Sequence, residues 1–160
     1  MRRLPLVLVL LATIACGWAK AAWSRVDPPA HRVRGEHAAK VQKLAREVVA
    51  FARDQLGVPY SWGGTSRATG FDCSGLVYAA YRSIGWNIPR SSWDQLRVGR
   101  PVGFAGLRPG DLLFSEGGGH VQLVVSRNAA ISAPQTGERV RYVPLAQLRS
   151  QFAGARRLIR

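Results

Sequence analysis

Two side chains in this sequence carry the types needed for nucleophilic chemistry, Cys73 and His120. Cys73 stands in Gly70-Phe71-Asp72-Cys73-Ser74-Gly75-Leu76-Val77-Tyr78, where a glycine-led turn runs into an apolar stretch. Leu76, Val77, Ala79, Ala80 and Tyr81 recur at helical spacing, and Asp72 just ahead of them is a residue type that caps helix starts by accepting a backbone N–H. Cys73 is therefore expected on the first turn of a buried helix. Unpaired N–H groups and the positive end of the helix dipole there favour a thiolate, the form that attacks carbonyls. The competing reading makes Cys73 one more small buried apolar residue, as most lone cysteines are.

His120 follows the loop Glu116-Gly117-Gly118-Gly119 and opens the run His120-Val121-Gln122-Leu123-Val124-Val125. Strand alternation puts Val121, Leu123 and Val125 on one face and His120 with Gln122 on the other. An imidazole titrates near neutrality, so a histidine at the loop end of a strand suits a general base. By itself it is equally an edge-strand histidine facing water; beside an unexplained Cys73 it reads as catalytic. Ser126-Arg127-Asn128 is a hairpin connection to Ala129-Ala130-Ile131-Ser132. A three-residue loop pairs Val125 with Ala129 and sets Gln122 opposite Ser132, both on the face of His120, whereas a two-residue loop turns Ser132 away.

The elements that position these groups fit one domain of 160 residues, 47% of them hydrophobic. Residues 1–21 read as a secretory signal peptide: Met1-Arg2-Arg3, an apolar run from Leu4 to Ile14, then Ala19-Lys20-Ala21 as a cleavage pattern. Thr13-Ile14-Ala15-Cys16 also resembles a lipoprotein site, which would tie the chain to a membrane through Cys16. The protein is thus expected in the periplasm, the wall or the medium. With Cys16 removed or lipidated, Cys73 is the lone thiol of an exported chain, exposed to oxidation and in need of a purpose. Of 23 Lys and Arg against 9 Asp and Glu, removal of Arg2, Arg3 and Lys20 leaves 20 against 9, a net of +11. Such a field attracts anionic wall polymers, or it simply keeps a small exported protein soluble. Nucleic acid is excluded by export and by the lack of an aromatic-basic binding motif.

Residues 22–36 read as an extended tether, and 37–160 as the folded domain. An amphipathic helix is expected from His37 to Leu56, ended by Gly57. The loop Val58-Pro59-Tyr60-Ser61-Trp62-Gly63-Gly64-Thr65 allows close backbone approach, and Tyr60 is either a hydroxyl for substrate or oxyanion contact or a core aromatic. After the Cys73 helix, which ends near Gly85, Ser91 or Ser92 caps a short helix. Strands follow at Leu112–Phe114, 120–125, 129–132 and 140–143, then a helix begun by Pro144, then a strand over 155–159. The order implies a helix-first α+β domain with an antiparallel sheet. No His, Cys and Asp spacing suits a metal, and no cofactor is expected.

The motifs Tyr60-Ser-Trp-Gly-Gly-Thr, Phe71-Asp72-Cys73-Ser74-Gly75-Leu76-Val77, Pro89-Arg90-Ser91-Ser92 with Gln95, Leu107-Arg-Pro-Gly-Asp111-Leu-Leu-Phe, Gly119-His120-Val121 and Ala133-Pro134-Gln135-Thr136-Gly137 occur in this order. Together they resemble the NlpC-type bacterial cell-wall cysteine peptidases over roughly Leu44 to Leu148. The resemblance implies a papain-like α+β fold, with N-terminal helices packed on a small antiparallel sheet, and hydrolysis of peptidoglycan stem peptides, commonly at the D-glutamyl to diaminopimelate bond; a monomer is expected. It makes Cys73 the nucleophile, His120 the base and Tyr60 a substrate or oxyanion contact, and it sets Asp72 and Ser74 in a pocket for the stem-peptide amine.

Two positions depart from the family pattern. Twelve residues after the histidine, where His or another polar group orients the base, stands Ser132. Gln122 replaces a small residue, and its amide carbonyl is expected to help orient His120. The neutral Ser132 keeps two other readings open: a weak or inactive relative that binds wall peptides, and a thiol acyltransferase or amidase acting on another amide.

Overall fold

The computed structural model describes residues 29–160. The segments expected as signal peptide, and Cys16 with its lipid alternative, lie outside them. Helix α1 spans Pro29–Asp54. Residues 29–36, expected as the end of an extended tether, are therefore helical. Proline at the opening position of a helix loses no hydrogen bond and already has the right φ. Arg32, Val33, Arg34 and Glu36 are exposed, so this part of α1 carries no apolar stripe that could announce it in sequence. Farther along, Val48, Val49 and Ala52 are buried in the core, as the periodicity requires.

A two-residue hairpin follows, β1 (Thr65–Ser66) with β2 (Gly70–Phe71), and runs directly into α2 (Cys73–Arg82). Helix α2 buries Leu76, Val77, Ala80 and Tyr81, and the Tyr81 hydroxyl donates to the Gly110 carbonyl at 2.6 Å. Helix α3 (Ser92–Gln95) is capped by Ser91, whose hydroxyl accepts the Asp94 N–H. Strands β3 (Arg100–Pro101), β4 (Leu112–Ser115), β5 (His120–Val124), β6 (Ala129–Ser132) and β7 (Arg141–Pro144) come next. They are followed by α4 (Leu145–Leu148) and β8 (Gly154–Arg157), so α4 is one turn long, shorter than the span begun by Pro144 suggested.

Strands β3 to β8 form one sheet in the order β3-β8-β4-β5-β6-β7, every pair antiparallel. The fold is α+β, helices first. Its register decides the site. Leu123 pairs with Ile131 and Val124 with Ala130, and Val125 N–H donates to Ala129 O at 3.0 Å, so the connection is the three-residue loop. Along β5, Val121, Leu123 and Val125 join the core under α1 and α2. Val124 packs on the other face with Leu113, Ala130, Val143, Leu145 and Leu148. Arg157 braces the entry to β4 by gripping Asp111 with two bonds, at 2.7 and 2.6 Å.

Candidate active site

The start of α2 is fixed by Asp72. Its backbone is extended, and Oδ1 accepts the Gly75 N–H at 2.6 Å, the capping role read from its position. Oδ2 accepts the Gly63 N–H at 2.8 Å, which draws the loop carrying Tyr60 against the helix. Gly75 makes that approach possible, because a Cβ there would land on the Gly64 carbonyl oxygen. Arg90 completes the clamp. It donates to Oδ1 at 2.9 Å, to Oδ2 at 2.6 Å and to the Ser74 hydroxyl oxygen at 2.9 Å. Burial works to raise the Asp72 pKa, yet Arg90 and the N–H groups of Gly75 and Gly63 outweigh it and hold the carboxyl below its usual range. Asp72 and Ser74 are both buried, and their polar atoms are directed into this clamp rather than into an open pocket for an amine.

Cys73 is the first residue of α2, half-buried and free. Its thiol lies close to the backbone N–H of Val121, the residue after His120, and to the N–H and hydroxyl of Ser74. Burial nevertheless pushes the thiol pKa above its ordinary value, and the neighbouring Asp72 carboxylate adds to the shift against those three donors. Burial and the Asp72 carboxylate thus work against the thiolate expected from the helix start, and outweigh the Val121 and Ser74 donors that favour it. Tyr60 stands within electrostatic reach of the same sulfur. Burial first, then Cys73 and Asp72, raise its hydroxyl pKa, so it is a protonated donor at neutral pH. Among the described residues that hydroxyl has no hydrogen-bond partner.

His120 opens β5 opposite Ser115 of β4. Its Nε2 lies 2.9 Å from the Ser132 Oγ across the β5–β6 pair. Burial lowers the His120 pKa, with Glu116 opposing, so the resting ring is neutral. When Ser132 accepts the Nε2–H, Nδ1 is left as the basic atom. Gln122 does not orient the imidazole as expected from sequence. Its amide N–H donates to the Ser115 hydroxyl at 2.9 Å, and its Oε1 is buried with no partner among the described residues. The amide carbonyl expected to orient His120 is thus left without a partner among these residues, while the N–H side of the amide is held by Ser115 on β4. His120, Ser132, Gln122 and Glu116 line a pocket of about 230 Å3 together with Arg141.

The geometry thus joins His120 to Ser132, and Asp72 to Ser74, and brings Tyr60 near Cys73. Arg90 was legible only as part of a motif. Its clamp reaches across 18 positions, beyond any local pattern. Ser92 is another such residue, its hydroxyl donating to the Gly119 carbonyl and fixing the loop before His120. Among the described residues no group of three or more His, Cys, Asp or Glu is placed to hold a metal ion.

A family model described as NlpC/P60 matches residues 57–157, which is more than half of the chain. The chain belongs to the NlpC/P60 family. This is a papain-like cysteine peptidase family, in keeping with the α+β architecture. Among its members, the chain is 38% identical over 133 residues to murein DD-endopeptidase MepH of Escherichia coli, covering 77% of this chain and 49% of the relative. It is 37% identical over 109 residues to a gamma-D-glutamyl-L-lysine dipeptidyl-peptidase of Bacillus subtilis, covering 64% of this chain and 36% of the relative. The chain therefore spans about half the length, or less, of these NlpC/P60 relatives. Of solved NlpC/P60 structures, the peptidoglycan hydrolase RipB of Mycobacterium tuberculosis superposes with a TM-score of 0.69 at 35% identity, over 76% of this chain and 68% of that one. An NlpC/P60 protein of Bacillus cereus gives 0.67 at 36% identity, over 72% and 40%.

Proposed function

We propose that the protein is an exported cysteine endopeptidase that hydrolyses peptidoglycan stem peptides, with Cys73 as nucleophile, His120 as base and Ser132 as the group that orients His120. The bond at 2.9 Å between His120 Nε2 and Ser132 Oγ carries the reading. In the tautomer that donates Nε2–H to Ser132, Nδ1 is free to take a proton, while the Cys73 thiol lies beside the amide of the next residue. Structures of the relative RipA have been determined with mutations at a cysteine, at a histidine and at a glutamate twelve residues past that histidine. The same separation joins His120 to Ser132.

In this mechanism the resting pair is neutral. His120 takes the thiol proton as the sulfur attacks the amide carbonyl carbon, so the thiolate forms in the reaction and does not precede it. The Cys73 backbone N–H and the Tyr60 hydroxyl receive the negative oxygen of the tetrahedral intermediate. The C–N bond then breaks, His120 returns the proton to the leaving amine, and a water activated by His120 hydrolyses the thioester. Asp72, Ser74 and Arg90 hold the first turn and the Tyr60 loop in place during these steps.

For substrate, we place the cut between D-glutamate and diaminopimelate. Purified wall fragments digested with the wild-type protein and with Cys73→Ala, and products weighed by mass spectrometry, test both parts. Wild-type protein is expected to split stems at that bond, and Cys73→Ala to release nothing. Equal release by both proteins overturns the mechanism. Conversion of crosslinked dimers to monomers with intact stems moves the cut to the D,D crosslink instead.

One second reading has an observation behind it. The raised Cys73 pKa and the uncharged Ser132 favour a weak or inactive wall-peptide binder. That reading requires stem peptides to bind with equal affinity to wild type and Cys73→Ala while neither is cleaved.

A further inference from the structure

A second and larger groove, of about 1240 Å3, lies away from the proposed chemistry: Cys73, His120 and Ser132 take no part in its lining. Its walls come from four separate places in the chain. Helix α1 supplies Arg46, the turn before β4 supplies Arg108, the β5–β6 hairpin supplies Arg127, and the residue after α4 supplies Arg149. All four are exposed residues, and none lies within ion-pair distance of a carboxylate among the described residues. The fifth arginine of the lining, Arg157, is neutralised by Asp111, the sole acidic residue there. Four positive charges consequently face one concavity without a counter-charge. Arg149 is held in place by stacking on the Phe104 ring, 5.0 Å from its centroid.

We propose that this groove binds a linear polyanion, a chain of phosphate or carboxylate groups joined by uncharged links. Three features select that class. The charges come from four elements around a space far larger than one small anion, so a ligand that meets them all must be extended and repeatedly charged. The walls are concave, which admits a strand but keeps a flat bilayer from reaching all four guanidinium groups. Exposed apolar residues between the arginines, such as Ala105 and Pro109, suit the uncharged links. Guanidinium forks donate N–H bonds to phosphate and carboxylate oxygens alike, so both sources share one recognition chemistry. The inference does not depend on the peptidase reading, because it concerns binding at a different place.

The test measures binding of fluorescently labelled polyphosphate and polygalacturonate by anisotropy, at low ionic strength and again in about 0.15 M salt. Three proteins are compared: wild type, the groove variant Arg46→Gln/Arg108→Gln/Arg127→Gln/Arg149→Gln, and a control variant of equal charge, Arg67→Gln/Arg82→Gln/Arg97→Gln/Arg100→Gln. The groove variant is expected to lose at least about tenfold in affinity, with a shallower salt dependence, while the control loses less than about threefold. Two double variants, Arg46→Gln/Arg149→Gln and Arg108→Gln/Arg127→Gln, are each expected to show part of the loss and serve if the fourfold change unfolds the protein. Binding of polyphosphate alone assigns a phosphate polymer and of polygalacturonate alone a carboxylate polymer. Equal losses in groove and control variants, no binding to either polymer, or tighter binding to phosphatidylglycerol vesicles than to both polymers overturns the proposal.

Discussion

Arg90 grips both carboxylate oxygens of Asp72, at 2.9 and 2.6 Å, and thereby ties the segment before α3 to the first turn of the helix that carries Cys73. The Asp72 side chain is 10% exposed and that of Arg90 37%, so the pair sits at the boundary of the interior. Arg90→Ala would leave a nearly buried carboxylate with only its N–H and hydroxyl donors. With the partial exposure of Arg90 discounted, the expected cost is about 2 kcal/mol, read from urea denaturation. The sign with pH follows from the depressed Asp72 pKa. Its contribution is present above the unfolded carboxylate pKa and is lost as pH falls through the lower folded value. The difference between wild type and Arg90→Ala should therefore shrink in strong acid; a difference that stays constant to below pH of about 2 contradicts the assignment.

Ser132→Ala removes the hydroxyl that lies 2.9 Å from His120 Nε2. A lost bond to a part-buried ring should cost kcat/KM about tenfold with little change in KM. Ser132→Glu places a carboxylate at the same point and raises the His120 pKa, so the acidic limb of the kcat/KM profile moves to higher pH. An unshifted profile means that position 132 does not control the imidazole.

Cys73 is raised and His120 lowered, both chiefly by burial. Alkylation of the free protein by iodoacetamide should accordingly keep rising with pH beyond the range where ordinary thiols ionise, with no plateau near neutrality. A fast phase that is already complete near pH 6 would demand a preformed ion pair and a different first step.

Glu116 sets a small opposing field at His120. Glu116→Gln should lower the His120 pKa further and extend kcat/KM to more acidic pH, by an amount that added salt reduces, since Glu116 is exposed. Movement of the limb toward higher pH would show that the carboxylate acts by another route.

Gly75→Ala drives a methyl group into the Gly64 carbonyl oxygen. Backbone cannot yield there without releasing the Gly63 bond to Asp72, so a loss of about 2–3 kcal/mol is expected in the thermal or urea transition. A variant as stable as wild type would show that the loop repacks freely.

Much of this arrangement is written locally. Helical spacing after Asp72 locates α2, and period two with a three-residue loop at 126–128 suffices to face Gln122 and Ser132 toward the side of His120. What escaped the sequence is what distance along the chain conceals. The raised Cys73 pKa comes from desolvation by the whole fold, and the Gln122 bond goes to Ser115 on a neighbouring strand. The early start of α1 includes Arg32, Val33, Arg34 and Glu36, all exposed, so no buried stripe marks it. Strands of two residues, β1, β2 and β3, are too short to show any period.

Helix α2 holds the sulfur, β5 the imidazole and β6 the hydroxyl, so on the proposed mechanism three parts of the chain must close on one another before an amide bond can be cut. A polypeptide that ends before residue 129, or one in which β6 has not yet paired with β5, leaves the imidazole without its hydroxyl partner. Turnover per molecule is then a direct gauge of how much of a preparation has finished folding.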